Sequence, residues 1–217
     1  MTTILQIALD TDKLFKAVDL AVKIATSTNC SNIWLEAGTP LIKSWGRLSV
    51  KILKDLTNCF IVADTKTIDT GSFEADIFYG AGANAITVLG LADNSTILDA
   101  IRKAREYNGI VIADLINHPK PFERAIELAE LGVDVVLYHV GIDVQKSRRI
   151  TVSQLLNELR DLRSKISAKI AVAGGIKHGE ARKFKEIGVD VVVVGSAITK
   201  ADDPVVATTK FLEELKN

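Results

Sequence analysis

The stretch VDVVVVGS, residues 189–196, decides the fold class. It is β-branched and almost continuously apolar, where a strand with one solvent-facing side would alternate apolar and polar residues. Glycine and serine then mark the point at which the chain leaves the strand. The stretch is therefore typical of a strand that is buried on both faces of a parallel sheet.

Seven similar runs precede it: ILQIALD (4–10), NIWLEAG (32–38), CFIVAD (59–64), AITVLG (85–90), GIVIADLI (109–116), VDVVLYHV (133–140) and AKIAVAGG (168–175). Amphipathic patterns such as KLFKAVDLAVKIA (13–25) lie between them, with apolar residues three and four apart as in helices. Eight strand–helix repeats without a linker or a break in composition predict an α/β fold, a single (β/α)8 TIM barrel domain over residues 1–217. A doubly wound open sheet is the alternative.

The composition favours a small-molecule ligand. Lys and Arg together number 27, as do Asp and Glu, and no block of like charge occurs, so neither a nucleic acid nor a membrane is expected as a partner. Since the N-terminus lacks a signal-peptide pattern and no apolar run reaches the length of a membrane span, we predict a cytoplasmic protein. Cys30 and Cys59 are expected to fill apolar space, without a disulfide or a thiolate zinc site.

On several predicted strands, the last residue of one face is ionisable. Strand side chains alternate in direction, so Phe60, Val62, Asp64 and Lys66 share one face of the third strand. In a TIM barrel the chemistry lies at the carboxyl ends of the strands. We therefore expect a cluster at one mouth of the barrel, formed by Asp10, Glu36, Asp64, Lys66, Asp114 and His139. The alternative is that polar residues simply begin where strands end.

The stretch ADTKTIDTG, residues 63–71, crowds three charges at the end of the third strand. Asp64 and Lys66 are two residues apart and lie side by side, which favours the charged forms of both at neutral pH. Asp69 lies beyond the strand, where a loop could deliver it to the site of a neighbouring subunit. The alternative is a surface salt-bridge cluster that caps a helix starting near Ser72.

Asp-x-Lys-x-x-Asp at this position resembles the signature of the orotidine 5'-monophosphate decarboxylase superfamily. The resemblance covers essentially the whole chain, through LQIALD, EAGTPLIK, VADTKTIDTG, ITVLGLAD, YHVGIDVQ, AVAGGI and VVVVGSAIT. Within the superfamily, HVGID (139–143) and GTPLIK (38–43) resemble the 3-hexulose-6-phosphate synthases. That resemblance implies a lyase of the aldolase type, which adds formaldehyde to ribulose 5-phosphate or catalyses the reverse cleavage.

The resemblance also implies roles for individual residues. Glu36 and Asp64 match metal ligands, and Mg²⁺, with Mn²⁺ as the alternative, would stabilise an enediolate through such hard oxygen donors. His139 matches the residue that moves the proton, a task that suits an imidazole. Lys66 would hold the developing oxyanion or a substrate hydroxyl, whereas Asp10 and Asp114 would accept hydrogen bonds from hydroxyls of the phosphorylated ketose. The implied assembly is a homodimer with shared active sites, in which Asp69 serves the neighbouring site.

Two glycine-containing loops are candidates for binding the phosphate. AGGIKHGEA follows the seventh strand and VGSAIT the eighth, and both can direct backbone N–H groups at an anion. The predicted residues are Gly174, Gly175, Gly195 and Ser196. Many relatives carry Arg at the position of Ser196, so Lys177 or Lys200 is a candidate replacement. A second departure is Ala37, where relatives usually have a larger aliphatic residue.

Two other functions stay open at this point. The sister 3-keto-L-gulonate-6-phosphate decarboxylases would use the same metal and enediolate, but they carry Arg where this chain has Ile142. A phosphosugar-binding protein without catalysis would not need the full set of charged residues at the mouth. His118 and His178 match no catalytic position and are expected to be surface or cap residues.

Overall fold

The structure, a computed structural model, describes residues 2–141, 143–144, 147 and 155–216. Eight parallel strands follow one another around a closed barrel, and β8 pairs with β1. The predicted TIM barrel is therefore confirmed, and the open sheet is wrong. The strands are β1 Ile4–Leu9, β2 Ile33–Ala37, β3 Phe60–Thr67, β4 Ala85–Leu89, β5 Ile110–Asp114, β6 Val135–His139, β7 Lys169–Ala173 and β8 Val191–Val194.

Helices follow the strands. They are α1 Leu14–Thr28, α2 Thr39–Trp45, α3 Arg47–Thr57, α4 Gly71–Tyr79, α5 Asn94–Glu106, α6 Pro121–Leu131, α7 Leu156–Arg163, α8 Ala181–Glu186, α9 Ser196–Thr199 and α10 Pro204–Glu214. Helix α5 begins where the Asp93 side chain accepts a hydrogen bond from the Ser95 N–H, a standard N-cap. Among the described residues, no helix combines the length and apolar character that a bilayer span requires.

The barrel interior is filled by the strand faces that the alternation predicts. Trp34 and Phe60 stack with ring centroids 4.2 Å apart near the amino ends of β2 and β3. Other buried apolar side chains fill the barrel together with them: Ala8, Val62, Ala85, Ile112, Val135, Leu137, Ala171, Ala173, Val191 and Val193. A larger core lies between the strands and the helices. Because the apolar residues of these strand faces lie inside the barrel, the last residue of each face lies at the mouth formed by the carboxyl ends of the strands.

Strand β3 departs from regular pairing at its end. Ala63 aligns with Ile86 and Thr67 with Val88, so β3 advances four residues while β4 advances two. Within this bulge Lys66 has a φ of 48°, in the left-handed region that residues other than glycine adopt rarely. The simple alternation that placed Lys66 on one face with Asp64 therefore ends at the bulge.

Cys30 and Cys59 form a disulfide, with their Cα atoms 5.4 Å apart. The expectation that both cysteines only fill apolar space is therefore wrong. Cys30 follows α1 and precedes β2, whereas Cys59 precedes β3. Because β2 and β3 are neighbours, the segments that precede these two strands lie side by side. A separation of 29 residues along the chain did not reveal that proximity.

Candidate active site

The mouth of the barrel gathers the ionisable residues that the sequence predicts there. Glu36 is on β2, Asp64 and Lys66 are on β3, and Asp114 and His139 end β5 and β6. Asp10 follows β1, where it approaches Gly38 so closely that a Cβ at residue 38 would overlap its carboxylate. Glycine is therefore required at position 38 for Asp10 to keep this place.

Lys66 connects two carboxylates. Its Nζ lies 2.8 Å and 2.9 Å from the two Asp64 oxygens and 3.0 Å from Asp114 Oδ2. Burial opposes the charge on Lys66, but the attraction of Asp64 and Asp114 outweighs burial and raises the pKa of the ammonium. Lys66 is therefore a fixed positive charge at neutral pH, as the predicted role of holding an oxyanion requires.

Asp114 also contacts the histidine. Its Oδ2 lies 3.1 Å from His139 Nδ1, and its Oδ1 accepts a hydrogen bond from the Ile116 N–H at 2.9 Å. Burial would raise the pKa of Asp114, but His139 and then Lys66 lower it below its usual value. The buried carboxylate therefore stays ionised and orients the imidazole, which leaves the other ring nitrogen for chemistry.

Two threonines that sequence reasoning missed hold Asp64. Thr39 donates from its N–H, at 3.2 Å, and from its hydroxyl to Oδ2. The Thr87 hydroxyl donates to Oδ1 at 2.9 Å. Thr87 could have been noticed as the one hydroxyl residue in the apolar run AITVL, on the strand face that points inward. Asp64 is thus fixed from β4 and from the start of α2.

Glu36 lies deeper than the other carboxylates. Its Oε2 is 2.5 Å from Gln6 Nε2, and among the described residues no other side chain hydrogen-bonds to it. Burial, then repulsion from Asp64 and Asp10, raises the pKa of Glu36 well above its usual value. Desolvation and repulsion from Asp64 likewise raise the pKa of Asp10. The Gln6 amide oxygen is buried without a hydrogen-bond partner in the described part of the chain.

These carboxylates suit a divalent cation of the magnesium type by their donor chemistry. Glu36 and Asp64 offer hard oxygens from adjacent strands. Burial, and then the negative charge of Asp64 and Asp10, raises the pKa of Glu36, and a bound cation would offset that negative charge. Within the described ranges, no group of three or more His, Cys, Asp or Glu side chains is arranged to hold a metal ion. A site with two protein carboxylates does not need such a group, because Mg²⁺ keeps water and substrate oxygens as its other ligands.

The predicted phosphate residues lie in the loops after β7 and β8. Gly174 and Gly175 have positive φ values of 130° and 69°, which a residue with a side chain adopts rarely. Gly195 precedes α9, and Ser196 is exposed as the first residue of that helix. Lys200, one of the two candidate replacements for an arginine, lines a cavity of about 400 Å³ together with Asp10 and Lys16.

The remaining predicted residues lie apart from this cluster. Asp69 is exposed, and its carboxylate accepts a hydrogen bond from the Thr70 N–H at 2.7 Å. His118 accepts one from the Lys120 N–H, and His178 pairs with Glu214 near the C-terminal helix. Neither histidine contacts the mouth residues described above. Ile142, which distinguishes the two enzyme branches in the sequence, lies outside the described residues.

The sequence profile of the orotidine 5'-phosphate decarboxylase / HUMPS family matches residues 3–211. The 3-hexulose-6-phosphate synthase of Mycobacterium gastri is 37% identical to this chain over 208 residues, which are 95% of this chain and 97% of that protein. Solved structures of two enzymes share the architecture described above.

A crystal structure of a 3-hexulose-6-phosphate synthase superposes with a TM-score of 0.90 at 35% identity, covering 100% of both chains. The 3-keto-L-gulonate-6-phosphate decarboxylase of Vibrio cholerae superposes with a TM-score of 0.82 at 26% identity, again over 100% of both chains. Both enzyme branches therefore share the barrel, and the similarity in sequence is greater to the first.

Proposed function

The chain belongs to the orotidine 5'-phosphate decarboxylase / HUMPS family, and on that premise we propose that it is a 3-hexulose-6-phosphate synthase. It is a carbon–carbon lyase of the aldolase type. Its substrates would be formaldehyde and ribulose 5-phosphate, and the reverse cleavage would proceed through the same intermediate. The relatives that share more than a third of their residues with this chain support this choice over the decarboxylase.

One observation carries the proposal. Asp114 contacts both His139, which can move a proton, and Lys66, which can hold negative charge. An aldol addition needs both tasks close together, because a proton leaves the carbon next to a ketone while negative charge appears on the oxygen of that ketone. A protein that only bound a phosphosugar would have no use for a histidine coupled in this way to a buried ion pair.

His139 would remove a proton from C1 of ribulose 5-phosphate, next to the C2 ketone. The resulting enediolate carries its negative charge on oxygen, where the Lys66 ammonium would stabilise it. C1 then bonds to the carbon of formaldehyde, and the proton on His139 passes to the oxygen of formaldehyde. The product gains one carbon, and the histidine returns to its starting state.

Glu36 and Asp64 would hold the divalent cation, Mg²⁺ or Mn²⁺. When bound, it would act as a Lewis acid on substrate oxygens as charge develops there. Thr39 and Thr87 keep Asp64 in place through both of its oxygens, so this ligand would be ordered before the cation arrives. Asp10 would accept a hydrogen bond from a hydroxyl of the sugar, and Asp114 keeps acceptor capacity for another.

The phosphate would lie against the loops that follow β7 and β8. The proposed contacts are the backbone N–H groups of Gly174, Gly175 and Gly195 and the hydroxyl of Ser196. Positive φ values at Gly174 and Gly175 support this, because consecutive N–H groups in such turns form anion-binding concavities. Lys200 would add positive charge from the neighbouring cavity, which it shares with Asp10.

We also propose a homodimer in which Asp69 enters the partner's active site. Asp69 is exposed and contacts none of the mouth residues within its own subunit. Large apolar side chains close to it in the sequence are exposed as well, Ile68 by 51% and Phe73 by 70%. Such exposure favours an interface, since single subunits rarely leave several large apolar groups in water.

A carbon-labelled substrate tests the proposed reaction. Purified protein with Mg²⁺ is given ribulose 5-phosphate and ¹³C-formaldehyde, and ¹³C NMR follows the label. The proposal predicts that the label appears in a hydroxymethyl group of a six-carbon phosphate. Release of carbon dioxide from 3-keto-L-gulonate 6-phosphate, without incorporation of label, would favour the decarboxylase instead. A cytoplasmic location stays a prediction from the sequence.

A further inference from the structure

The bulge in β3 leaves backbone groups that regular strand pairing would have satisfied. Between the aligned pairs Ala63–Ile86 and Thr67–Val88, β3 contributes three residues and β4 contributes one. That one residue is Thr87, which is 1% exposed and lies on the inward face of β4. Thr87 therefore stands opposite the segment that carries both Asp64 and Lys66.

Thr87 makes a hydrogen bond to each of the three residues in the bulge. Its hydroxyl accepts from the Lys66 N–H at 2.9 Å and donates to Asp64 Oδ1 at 2.9 Å. Its carbonyl accepts from the Thr65 hydroxyl at 2.6 Å. A hydroxyl has one donor and two acceptor sites, so it can serve both neighbours at once. Valine, which has the same shape, could serve neither.

The bond to the Lys66 N–H bears on an unfavourable backbone conformation. Lys66 has a φ of 48°, and a lysine stays in the left-handed region only when its surroundings fix it there. In this conformation its ammonium reaches both Asp64 and Asp114. The same hydroxyl that holds the Lys66 backbone also holds the Asp64 carboxylate.

We propose that Thr87 is a positioning residue for this site. Its hydroxyl fixes the Lys66 ammonium and the Asp64 carboxylate relative to each other, without contact with the substrate. The inference rests on the proposed function only in so far as turnover is the readout. Misplacement of a catalytic group by about 1 Å can lower a rate by about 10²-fold, so a loss of this hydroxyl should be visible in kcat.

The experiment compares three variants in the full-length protein. Thr87→Val removes the hydroxyl and keeps the shape, and Thr87→Ser keeps the hydroxyl and removes a methyl group. Thr3→Val is the matched control, because Thr3 is also buried and its hydroxyl donates to the Val189 carbonyl ahead of β1 and β8, away from the mouth. We expect kcat to fall by about 10–100-fold in Thr87→Val with a smaller change in KM. The Ser and control variants should stay within about threefold of wild type.

Crystal structures of the substrate-free variants supply a readout that does not depend on turnover. Thr87→Val should release Lys66 from positive φ and move its Nζ away from Asp114, whereas Thr87→Ser should not. The proposal is overturned if Thr87→Val keeps both the kcat and the Lys66 conformation, or if Thr87→Ser is as impaired as Thr87→Val. If Thr87→Val does not fold, Thr87→Ala, which also lacks the hydroxyl, takes its place in both comparisons. If wild type itself consumes no formaldehyde, the proposed reaction is wrong. The Lys66 conformation in the variant structures still tests the positioning role of Thr87.

Discussion

The ammonium of Lys66 lies 3.0 Å from the carboxylate of Asp114, a side chain with no solvent exposure. This contact spans from β3 to β5, and the same carboxylate oxygen also faces His139 on β6. One buried acid therefore sets the position of both groups that the proposed reaction uses. Removal of its charge should disturb both, because a buried ion pair that loses one partner leaves an uncompensated charge.

Asp114→Asn should lower kcat by about 10²–10³-fold, since an amide cannot hold both the ammonium and the imidazole in their orientations. Asp134→Asn is the matched control, because Asp134 is likewise an acid paired with a cation, Arg105, although it is only partly buried. Asp134 precedes β6 at the opposite end of the barrel, so the kcat of the control variant should stay close to that of wild type. Steady-state kinetics on both variants decides, and an active Asp114→Asn enzyme would contradict the account.

Much of this site follows from the alternation of side chains along strands. Ala8, Val62 and Ile112 face inward. The acid two residues after each of them therefore lies at the mouth, and the sequence was sufficient to predict this. The bulge that turns Lys66 and the pairing of Cys30 with Cys59 could not be predicted in this way. Both depend on which residues of neighbouring strands come side by side, and no local pattern carries that information.

Thr39 and Gln6 show a second limit. Their types and positions are visible in the sequence, but a buried hydroxyl or amide has a meaning only when its partner is known. Thr39 holds Asp64 from the start of a helix that follows a different strand. Gln6 holds Glu36 across the β1–β2 pair. Such partners are set by the register between neighbouring strands, which brings these residues side by side.

Glu36→Gln should stabilise the protein in the presence of chelator while it abolishes activity. Burial, followed by repulsion from Asp64 and Asp10, raises the folded-state pKa of Glu36 above its ordinary 4.5. Protonated Glu36 therefore makes its full contribution to the free energy of unfolding below pH 4.5. That contribution is lost as the pH rises from 4.5 through the folded-state pKa. At pH 7–8 the uncharged variant should gain about 1–3 kcal/mol in the free energy of unfolding.

Urea unfolding of both proteins across pH measures this difference. The gain should vanish at acidic pH, and Mg²⁺ should stabilise wild type but not the variant. Glu130→Gln, an exposed position on α6, is the control and should leave the free energy of unfolding unchanged. A Glu36→Gln variant that is less stable than wild type at pH 8 would show that the carboxylate is already compensated.

Shared active sites predict complementation between inactive variants. Asp69→Ala and His139→Ala should each lose activity, and a mixed dimer should contain one site with both residues intact. With random exchange of subunits, roughly a quarter of the wild-type activity should return. The measurement is activity after mild denaturation and refolding of an equimolar mixture. No recovery, with exchange demonstrated by differently tagged subunits, would mean that Asp69 serves no neighbouring site.

The disulfide predicts a difference between oxidised and reduced protein. Protein denatured without reductant should expose no free thiol, because the structure leaves neither cysteine free among the described residues. A bridge that closes a segment of this length contributes about 2–4 kcal/mol, so reduction or Cys30→Ser should lower the free energy of unfolding by that amount. Thiol titration and urea unfolding measure the two quantities. Two free thiols in the unreduced protein would show that the bridge does not form.

The rate of formaldehyde loss in the presence of ribulose 5-phosphate tests the proposed synthase reaction together with the role of His139. The assay uses wild type with Mg²⁺, wild type with excess chelator, and His139→Ala with Mg²⁺. We expect rapid loss in the first case only, with His139→Ala slower by about 10²–10⁴-fold, the usual contribution of a proton-transferring group. Consumption that persists unchanged in chelator or in His139→Ala would contradict this expectation.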